Sequence, residues 1–370
     1  MAVEVADWND LDNVRNDLTG DYVLVNDLDE STAAYTDLAS ETANDGDGWE
    51  PIGDLSDEFE GTFDGQGYEI SDLVIDGGSN SGLFAQADDS VIQNLSVLGA
   101  DVSGGNRSGI IIGRNAGGTI ENVFTTGTVE GSNNTAGVAG INSGTVQNCY
   151  TTANVTGSSE TGGLVGDSSG DIIASYATGD VVGINSVGGL VGSNRGFVEN
   201  SYASGDVDGD EDVGGFVGVE SSNNSDQGIE KCYSSNDSVT GNDNLGAFCG
   251  QLGSSSAIIG EDNEGYIFDS YVDIELSNQS EAIGDIFEEG ASDVEEKQTA
   301  EMQGSEAETN MDGFDFANVW DAVLESDEDT TADGYPILLA LNRENQLEAQ
   351  GIFQELEPPE PPENLTAELL

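Results

Sequence analysis

An interval of about 26 residues recurs through the middle of the chain and limits what the chain can fold into. Glycines close the segments GVAG, GLVG, GLVG and GFVG at this interval, at Gly140, Gly166, Gly192 and Gly218. Aromatic residues recur at the same interval and then at longer spacings, at Phe124, Tyr150, Tyr176, Tyr202, Tyr233 and Tyr271. Self-similarity at a fixed interval is typical of a solenoid, in which each repeat packs only on its neighbours.

Each repeat contains three short runs in which Val, Ile and Tyr alternate with polar residues. Such runs are too short for helices, and their alternation predicts strands with one buried face. Three strands in every coil of about 26 residues predict an all-β fold, a right-handed parallel β-helix with an N-terminal capping helix and a C-terminal cap and tail. A β-propeller is the competing architecture, but its blades need about 40 residues and four strands.

The charge of the chain excludes several functions. There are 73 Asp and Glu against 7 Lys and Arg, no His, and a net charge of −66. This charge repels phosphate, so we expect no nucleic-acid partner, and the absence of His removes every mechanism that needs an imidazole. At molar salt the Debye length is about 3 Å, so crowded carboxylates repel one another only weakly. The composition therefore predicts a halophilic source, an archaeon or one of its viruses.

The sequence predicts neither a membrane-spanning helix nor a secretory signal. No apolar run approaches the length of roughly 18 residues that a membrane-spanning helix needs, so no membrane span is expected. The opening segment MAVEVADWND has neither a basic nor an apolar region, so a secretory signal is not predicted.

The repeats resemble a known family. The segments GGLVG at 162–166 and 188–192 resemble the core of the GLUG motif, and stretches before and after the repeats extend the similarity over about residues 7–340. The resemblance implies a repeat architecture. It also implies the cell-surface, adhesive and large secreted proteins in which such repeats occur.

Four regions are predicted: 1–80 as the N-terminal cap and first coils, 81–280 as the repeat β-helix, 281–341 as an acidic C-terminal cap, and 342–370 as a docking tail. Trp8, Leu11, Val14 and Leu18 follow the acidic Asp7 at helical spacing, which predicts the capping helix. The apolar segments FDFANVW and GYPILLAL are expected to close the far end of the coils, where strand edges need a cover.

The tail carries apolar residues on one face of a possible helix, at Leu347, Ile352, Phe353 and Leu356. The stretch EPPEPPE follows and favours an extended polyproline spacer. This arrangement predicts a docking segment, through which the chain would form a homo-oligomer, a trimer or higher, or attach to other virion or cell-envelope proteins.

An acidic loop is the one candidate for metal binding. Asp206, Asp208, Asp210 and Asp212 have the spacing of a hard-cation loop that could hold Ca²⁺, Mg²⁺, Na⁺ or K⁺. The loop lacks the Gly at the sixth position and the Glu at the twelfth, and salt adaptation explains the same carboxylates. No cofactor is required by the sequence.

Two further sets of residues are expected to be structural. Asn122, Asn148 and Asn200 recur just before the aromatic positions and predict a ladder of stacked amides at a coil corner. Cys149 and Cys232 lie three coils apart, too far for a disulfide, and are expected to be small buried residues like Cys249.

No group of residues predicts catalysis. A glycosidase needs two carboxylates about 5 or 6.5–9.5 Å apart, and with 73 carboxylates such a pair arises by chance. We therefore predict a non-enzymatic protein that is displayed on the surface of a halophilic archaeal virion, as a capsid turret, capsid decoration or tail fibre, and that binds a host surface protein or glycan. The alternatives are an extracellular haloarchaeal cell-surface adhesin and a β-helix enzyme acting on polysaccharides.

Overall fold

The computed structural model describes residues 1–222, 227–253, 266–286, 291–324, 326–327, 329–341, 343–350 and 352–353. Within these residues the repeats wind into coils whose strands stack in parallel on three faces. The prediction of an all-β parallel β-helix is confirmed. In the longest face, ten successive parallel pairings lead from Val3–Val5 to Ala291–Lys297, a stack roughly 50 Å long at about 4.8 Å per step.

The first face contains the strands Val3–Val5, Asp21–Leu24, Thr62–Asp64, Glu69–Ser71, Val74–Asp76, Val91–Ser103, Thr119–Glu130, Thr145–Gln147, Tyr150–Thr151, Asn154–Thr156, Asp171–Ile173, Tyr176–Ala177, Val181–Val182, Phe197–Glu199, Tyr202–Ala203, Val207–Asp208, Gly228–Glu230, Tyr233–Ser234, Val239–Thr240, Tyr266–Asp273 and Ala291–Lys297. The second contains Phe84–Ala87, Ile112–Asn115, Ala139–Asn142, Val165–Ser168, Val191–Asn194, Val217–Glu220, Cys249–Leu252 and Ile283–Ile286. The third contains Asn133–Ala136, Ser159–Gly162, Asn185–Gly188, Glu211–Gly214 and Asp243–Gly246.

Residues that are one interval apart in the sequence are register partners in neighbouring coils. Val146 pairs with Ile172, and Val165 pairs with Val191. A regular coil contains five short strands rather than the three predicted. One of the two extra divisions falls at a residue with positive φ, because Asn148 at 52° separates Thr145–Gln147 from Tyr150–Thr151 within the first face.

The core of the coils consists of inward apolar side chains that repeat in register. Leu164, Leu190 and Val191 are fully buried there. The doubled glycine of the motif has a steric role, because a Cβ on Gly163 would lie 2.1 Å from the carbonyl oxygen of Gly189 in the next coil. The close approach of these two coils therefore requires a residue without a side chain at position 163.

The predicted N-terminal capping helix is present as two short pieces, Trp8–Asp12 and the 3₁₀ helix Asn13–Asn16. The Asp7 carboxylate accepts hydrogen bonds from the backbone N–H groups of Asn9 and Asp10, at 2.9 and 3.0 Å. Trp8, Leu11 and Val14 are fully buried in the core. Two more short helices follow, Tyr35–Leu38 and the 3₁₀ helix Ala43–Gly46.

The C-terminal part lies along the side of the stack instead of across its end. It comprises the helices Thr299–Met302, Gly304–Asn310 and Arg343–Ala349 and an antiparallel pair, Trp320–Asp321 with Ile337–Leu338. We call the described residues from 299 to 353 the C-terminal cover. Their apolar side chains pack on tyrosines of successive coils, which corrects the expectation that FDFANVW and GYPILLAL close the far end.

The far edge of the first face is protected by charge. The strand Ala291–Lys297 is paired on one side, with Tyr266–Asp273, in the described residues. Asp293, Glu295 and Glu296 lie on it, and acidic edge strands discourage pairing with further chains. None of the helices in the described ranges has the length and apolar content needed to cross a membrane.

Candidate functional site

Aromatic rings form a ladder on the outside of the first face. The ladder comprises the residues that share one position of the repeat: Phe124, Tyr150, Tyr176, Tyr202, Tyr233 and Tyr271. From Phe124 to Tyr233 the rings stack with centroids 4.3 to 4.9 Å apart and planes within 19° of parallel. The in-register parallel stacking places each ring directly on the next, which turns a sequence interval into a continuous aromatic surface.

The C-terminal cover buries most of this aromatic ladder. Trp320 and Phe314 contact the ring of Tyr233, with centroid distances of 5.6 and 6.3 Å. The Tyr233 hydroxyl donates to the carbonyl oxygen of Pro336 at 2.7 Å, and the Tyr202 hydroxyl donates to Oε1 of Gln346 at 3.3 Å. Burial raises the pKa of both hydroxyls well above the ordinary value of tyrosine. These tyrosines are therefore structural and cannot reach a ligand.

The aromatic ladder is open at its other end. Phe124 and Tyr150 are only partly buried, and the Tyr150 hydroxyl accepts a hydrogen bond of 2.7 Å from Asn345 at the edge of the cover. In the preceding coil the register partner of Phe124 is Ser96, so no ring of the described residues continues the ladder on the other face of Phe124. A cavity of about 490 Å³ lies at this end.

The cavity is lined by neutral residues: Gln66, Gly67, Asn94, Leu95, Ser96, Asn122, Phe124, Asn148, Tyr150, Ala340 and Leu341. The Asp64 carboxylate holds two of these amides in place, because it accepts from Nδ2 of Asn94 at 3.1 Å and from Nε2 of Gln66 at 2.5 Å. The open end of the aromatic ladder therefore combines an aromatic ring face with a row of amides.

The asparagines of the predicted ladder lie at the same corner of their coils, but their side chains do not form a continuous row of hydrogen bonds. Asn122, Asn148 and Asn200 all have positive φ, between 51° and 54°, a conformation that asparagine adopts more readily than most residues. Asn122 donates to Asn94 at 3.1 Å, whereas Ala174 interrupts the row between Asn148 and Asn200. The backbone conformation, and not a chain of stacked amides, accounts for asparagine at these corners.

A second ladder, inside the coils, escaped the sequence analysis. This polar ladder comprises the fully or almost fully buried residues Asn115, Asn142, Ser168, Asn194 and Glu220, which are register partners in successive coils. Asn115 donates to Asn142 at 2.9 Å, and Asn194 donates to Glu220 at 2.6 Å. Each residue lies two positions after a repeat glycine, and this constant offset was the signal that could have revealed the ladder.

Glu220 ends the polar ladder and is fully buried. Its carboxyl accepts from Nδ2 of Asn194 and from the backbone N–H of Ser222, the latter at 2.8 Å. Burial raises its pKa to about 7, although these hydrogen bonds lower it in part. A carboxyl with such a pKa can act as a general acid, but Glu220 has no exposed surface through which a substrate could reach it.

The acidic loop does not gather its carboxylates around one point. Asp206 precedes the strand Val207–Asp208, Asp210 lies at the corner after it, and Asp212 lies in the next strand, Glu211–Gly214. Three of them turn toward the next coil, where Asp208, Asp210 and Asp212 accept from Thr240, Asn242 and Asn244. The described part of the chain holds no group of three potential metal ligands, and a cation site on these four residues stays a prediction.

The predicted docking tail is partly absorbed by the C-terminal cover. Leu347 is fully buried with Val323 and Ile337, and Ile352 and Phe353 pack partly buried against the same cluster. The helix ends at Ala349, so Ile352 and Phe353 lie beyond it and do not share a helix face with Leu347; docking through the tail stays a prediction. Leu356 lies outside the described residues.

One arginine anchors this helix. The Arg343 guanidinium pairs with Asp321, Asp327 and Asp329 at 2.5, 2.7 and 2.8 Å. These carboxylates raise the pKa of Arg343, and the arginine lowers that of Asp329. The cover therefore spans the boundary that separated the predicted acidic cap, 281–341, from the predicted tail, 342–370.

The three cysteines are free and fully buried, as expected for small core residues. Burial raises the pKa of the Cys149 thiol to about 12, so it is not a reactive thiolate at neutral pH.

Comparisons with known proteins agree with this architecture. The GLUG motif matches residues 183–208. Halomucin of Haloquadratum walsbyi is 38% identical over 142 residues, which are 37% of this chain and 2% of halomucin. A proposed Gly-rich membrane protein of Evansella cellulosilytica is 42% identical over 94 residues, which are 24% of this chain and 10% of that protein. The chain thus corresponds to a small fraction of either relative.

A solved structure shows the same fold. The crystal structure of a proposed immunoglobulin A1 protease from Bacteroides ovatus superposes with a TM-score of 0.56 at 21% identity. The match covers 92% of this chain and 93% of that one. At this identity the likeness concerns the fold alone.

Proposed function

We propose, from the premise that the chain is a GLUG-repeat protein of halophilic origin, that it acts as a non-enzymatic structural protein at the surface of a halophilic cell. The observation that carries the proposal is the similarity to halomucin, which favours an extracellular or cell-surface setting. The net charge of −66 supports exposure to concentrated salt, where carboxylates remain hydrated and their repulsion is screened.

The interior of the coils supports a structural role. Buried polar groups are a common sign of a catalytic centre, but here they are tied to one another along the polar ladder. Glu220 is enclosed, and the carboxylates of the acidic loop are tied to the next coil. The described residues therefore supply a stiff body whose polar groups are used in stacking.

The proposed location is the cell surface and not a virion. Halomucin and the Evansella protein do not point to a virion by their names, and no contact in the described residues favours one. We therefore carry forward the cell surface, which was the alternative from the sequence, and not the capsid or tail fibre.

Immunogold labelling tests the proposal. Antibodies raised against the chain should label intact cells that produce it, or material in their medium, and a cytoplasmic protein should stay unlabelled until the same cells are lysed. Labelling that appears only after lysis would refute an extracellular role. Gold concentrated on virus particles, with bare cells, would instead restore the virion interpretation.

A further inference from the structure

We propose that the open end of the aromatic ladder binds a neutral carbohydrate. The ladder ends at Phe124, whose ring stacks on Tyr150 at 4.3 Å on one side. On the other side its register partner is Ser96, which is too small to cover a ring. One ring face is therefore left facing a cavity at the point where the ladder could continue by one more ring.

The stacking geometry selects a flat ligand. A pyranose has a face of C–H groups that carry partial positive charge, and an aromatic ring presents a negative face to it. Placed over Ser96, such a ring would stack on Phe124 as Tyr150 does on the opposite side. The cavity of about 490 Å³ lies within the range of roughly 300–1,000 Å³ that is usual for small-ligand sites.

The amides around this ring face match the rim of a sugar. An amide offers both donors and an acceptor, as a row of hydroxyl groups requires. Asn148 makes no side-chain hydrogen bond to the described residues, and Asn122 uses only one of its donors, toward Asn94. Asn94 and Gln66 are held in place by Asp64, so part of the row is already ordered before a ligand arrives.

The absence of charged residues from the lining indicates which class of carbohydrate the cavity would bind. The chain has 73 acidic residues among 370, yet no Asp, Glu, Lys or Arg of the described residues lines the cavity. An anionic sugar or nucleotide would be repelled by the net charge of −66, and a cationic ligand would find no carboxylate in this part of the lining. A neutral oligosaccharide is the class of ligand that fits the aromatic face, the amides and the charge together.

This inference goes beyond the proposed structural role, and it is tested on the purified full chain, so the cellular location does not enter the result. Saturation-transfer difference NMR in molar potassium chloride is the measurement, with cellotetraose and α-mannotetraose as probes at millimolar concentration. The wild-type chain should transfer saturation to pyranose C–H protons of at least one tetrasaccharide.

Two variants locate the binding. Ser96→Phe should fill the site with a ring that continues the ladder, and Phe124→Ser should remove the ring face; each should reduce the transferred saturation at least tenfold. Tyr202→Phe is the matched control, because Tyr202 belongs to the same ladder but does not line the cavity, and the change keeps the ring and removes only a hydroxyl that pairs with Gln346. The control should bind as the wild type does, and unchanged circular dichroism shows that each variant is folded.

Three results would overturn the proposal. The first is no transfer from the wild-type chain to either tetrasaccharide. The second is binding that survives in Ser96→Phe or, should that variant not fold, in Phe124→Ser. The third is transfer to a synthetic peptide EPPEPPEN, sensitive to Ser96→Phe, with none to the saccharides, since this result would assign the site to a proline-rich segment.

Discussion

Removing the ring of Tyr202 tests whether the C-terminal cover is held by the aromatic ladder. Tyr202 is 1% exposed and lies between Tyr176 and Tyr233, with ring centroids at 4.6 and 4.9 Å. Truncating a buried aromatic residue to alanine costs about 3–5 kcal/mol in transfer free energy and cavity formation. We expect Tyr202→Ala to lower the free energy of unfolding by about 4 kcal/mol.

Two matched variants separate the contributions to this loss. Tyr202→Phe removes only a 3.3 Å hydrogen bond to Gln346, whose Oε1 still accepts from the Leu338 N–H at 2.8 Å, so the loss should be about 1 kcal/mol. Phe124→Ala truncates the same repeat position outside the cover. Because Phe124 is partly exposed, its loss should stay below about 2 kcal/mol.

Urea unfolding in molar potassium chloride, followed by circular dichroism, measures these differences without changing the ionic strength. Urea midpoints converted to free energies should rank Tyr202→Ala as clearly less stable than Phe124→Ala. Equal losses at the two positions would show that the cover does not bury the ladder, and the account of the C-terminal region would fail.

Two further predictions concern pH and salt. Burial raises the pKa of Glu220 to about 7 in the folded protein, so the contribution of this carboxyl to stability is fully present below its ordinary pKa near 4.5. That contribution, about 3 kcal/mol, is lost as the pH rises through 7. Glu220→Gln should flatten this part of the pH profile of thermal unfolding, and an identical profile in both proteins would contradict the prediction. Lowering the salt from molar to about 0.01 M lengthens the Debye length to about 30 Å, so the β-sheet circular dichroism signal should decrease on stepwise dialysis, and an unchanged signal would contradict adaptation to high salt.

The repeat interval could be derived from the sequence because stacking demands it. Val146, Ile172 and Val198 are register partners one interval apart, so the sequence period equals the number of residues in one coil. The glycines of GGLVG could also be recognised as structural from the sequence, because the close approach of Gly163 and Gly189 leaves no room for a side chain.

The outer surface could not be derived in the same way. Simple alternation places Val198 and Tyr202 on one face, but Asn200 between them has positive φ and reverses the phase. As a result Val198 faces the core and Tyr202 faces outward, where it needs a cover. The hydrogen bond that Trp320 Nε1 donates to Asn200 Oδ1 joins residues 120 positions apart, and no local pattern encodes that contact.

Excision of one coil tests the central claim most directly, that each sequence repeat forms one coil stacked in register on the coils before and after it. Ser159 pairs with Asn185, so deleting residues 159–184 joins Ser158 to a residue that occupies the same place one coil later. In molar salt the shortened chain should keep the β-sheet circular dichroism signal and unfold cooperatively, whereas deleting the half coil 159–171 should leave no cooperative transition. Equal behaviour of the two deletions, folded or unfolded, would contradict the account.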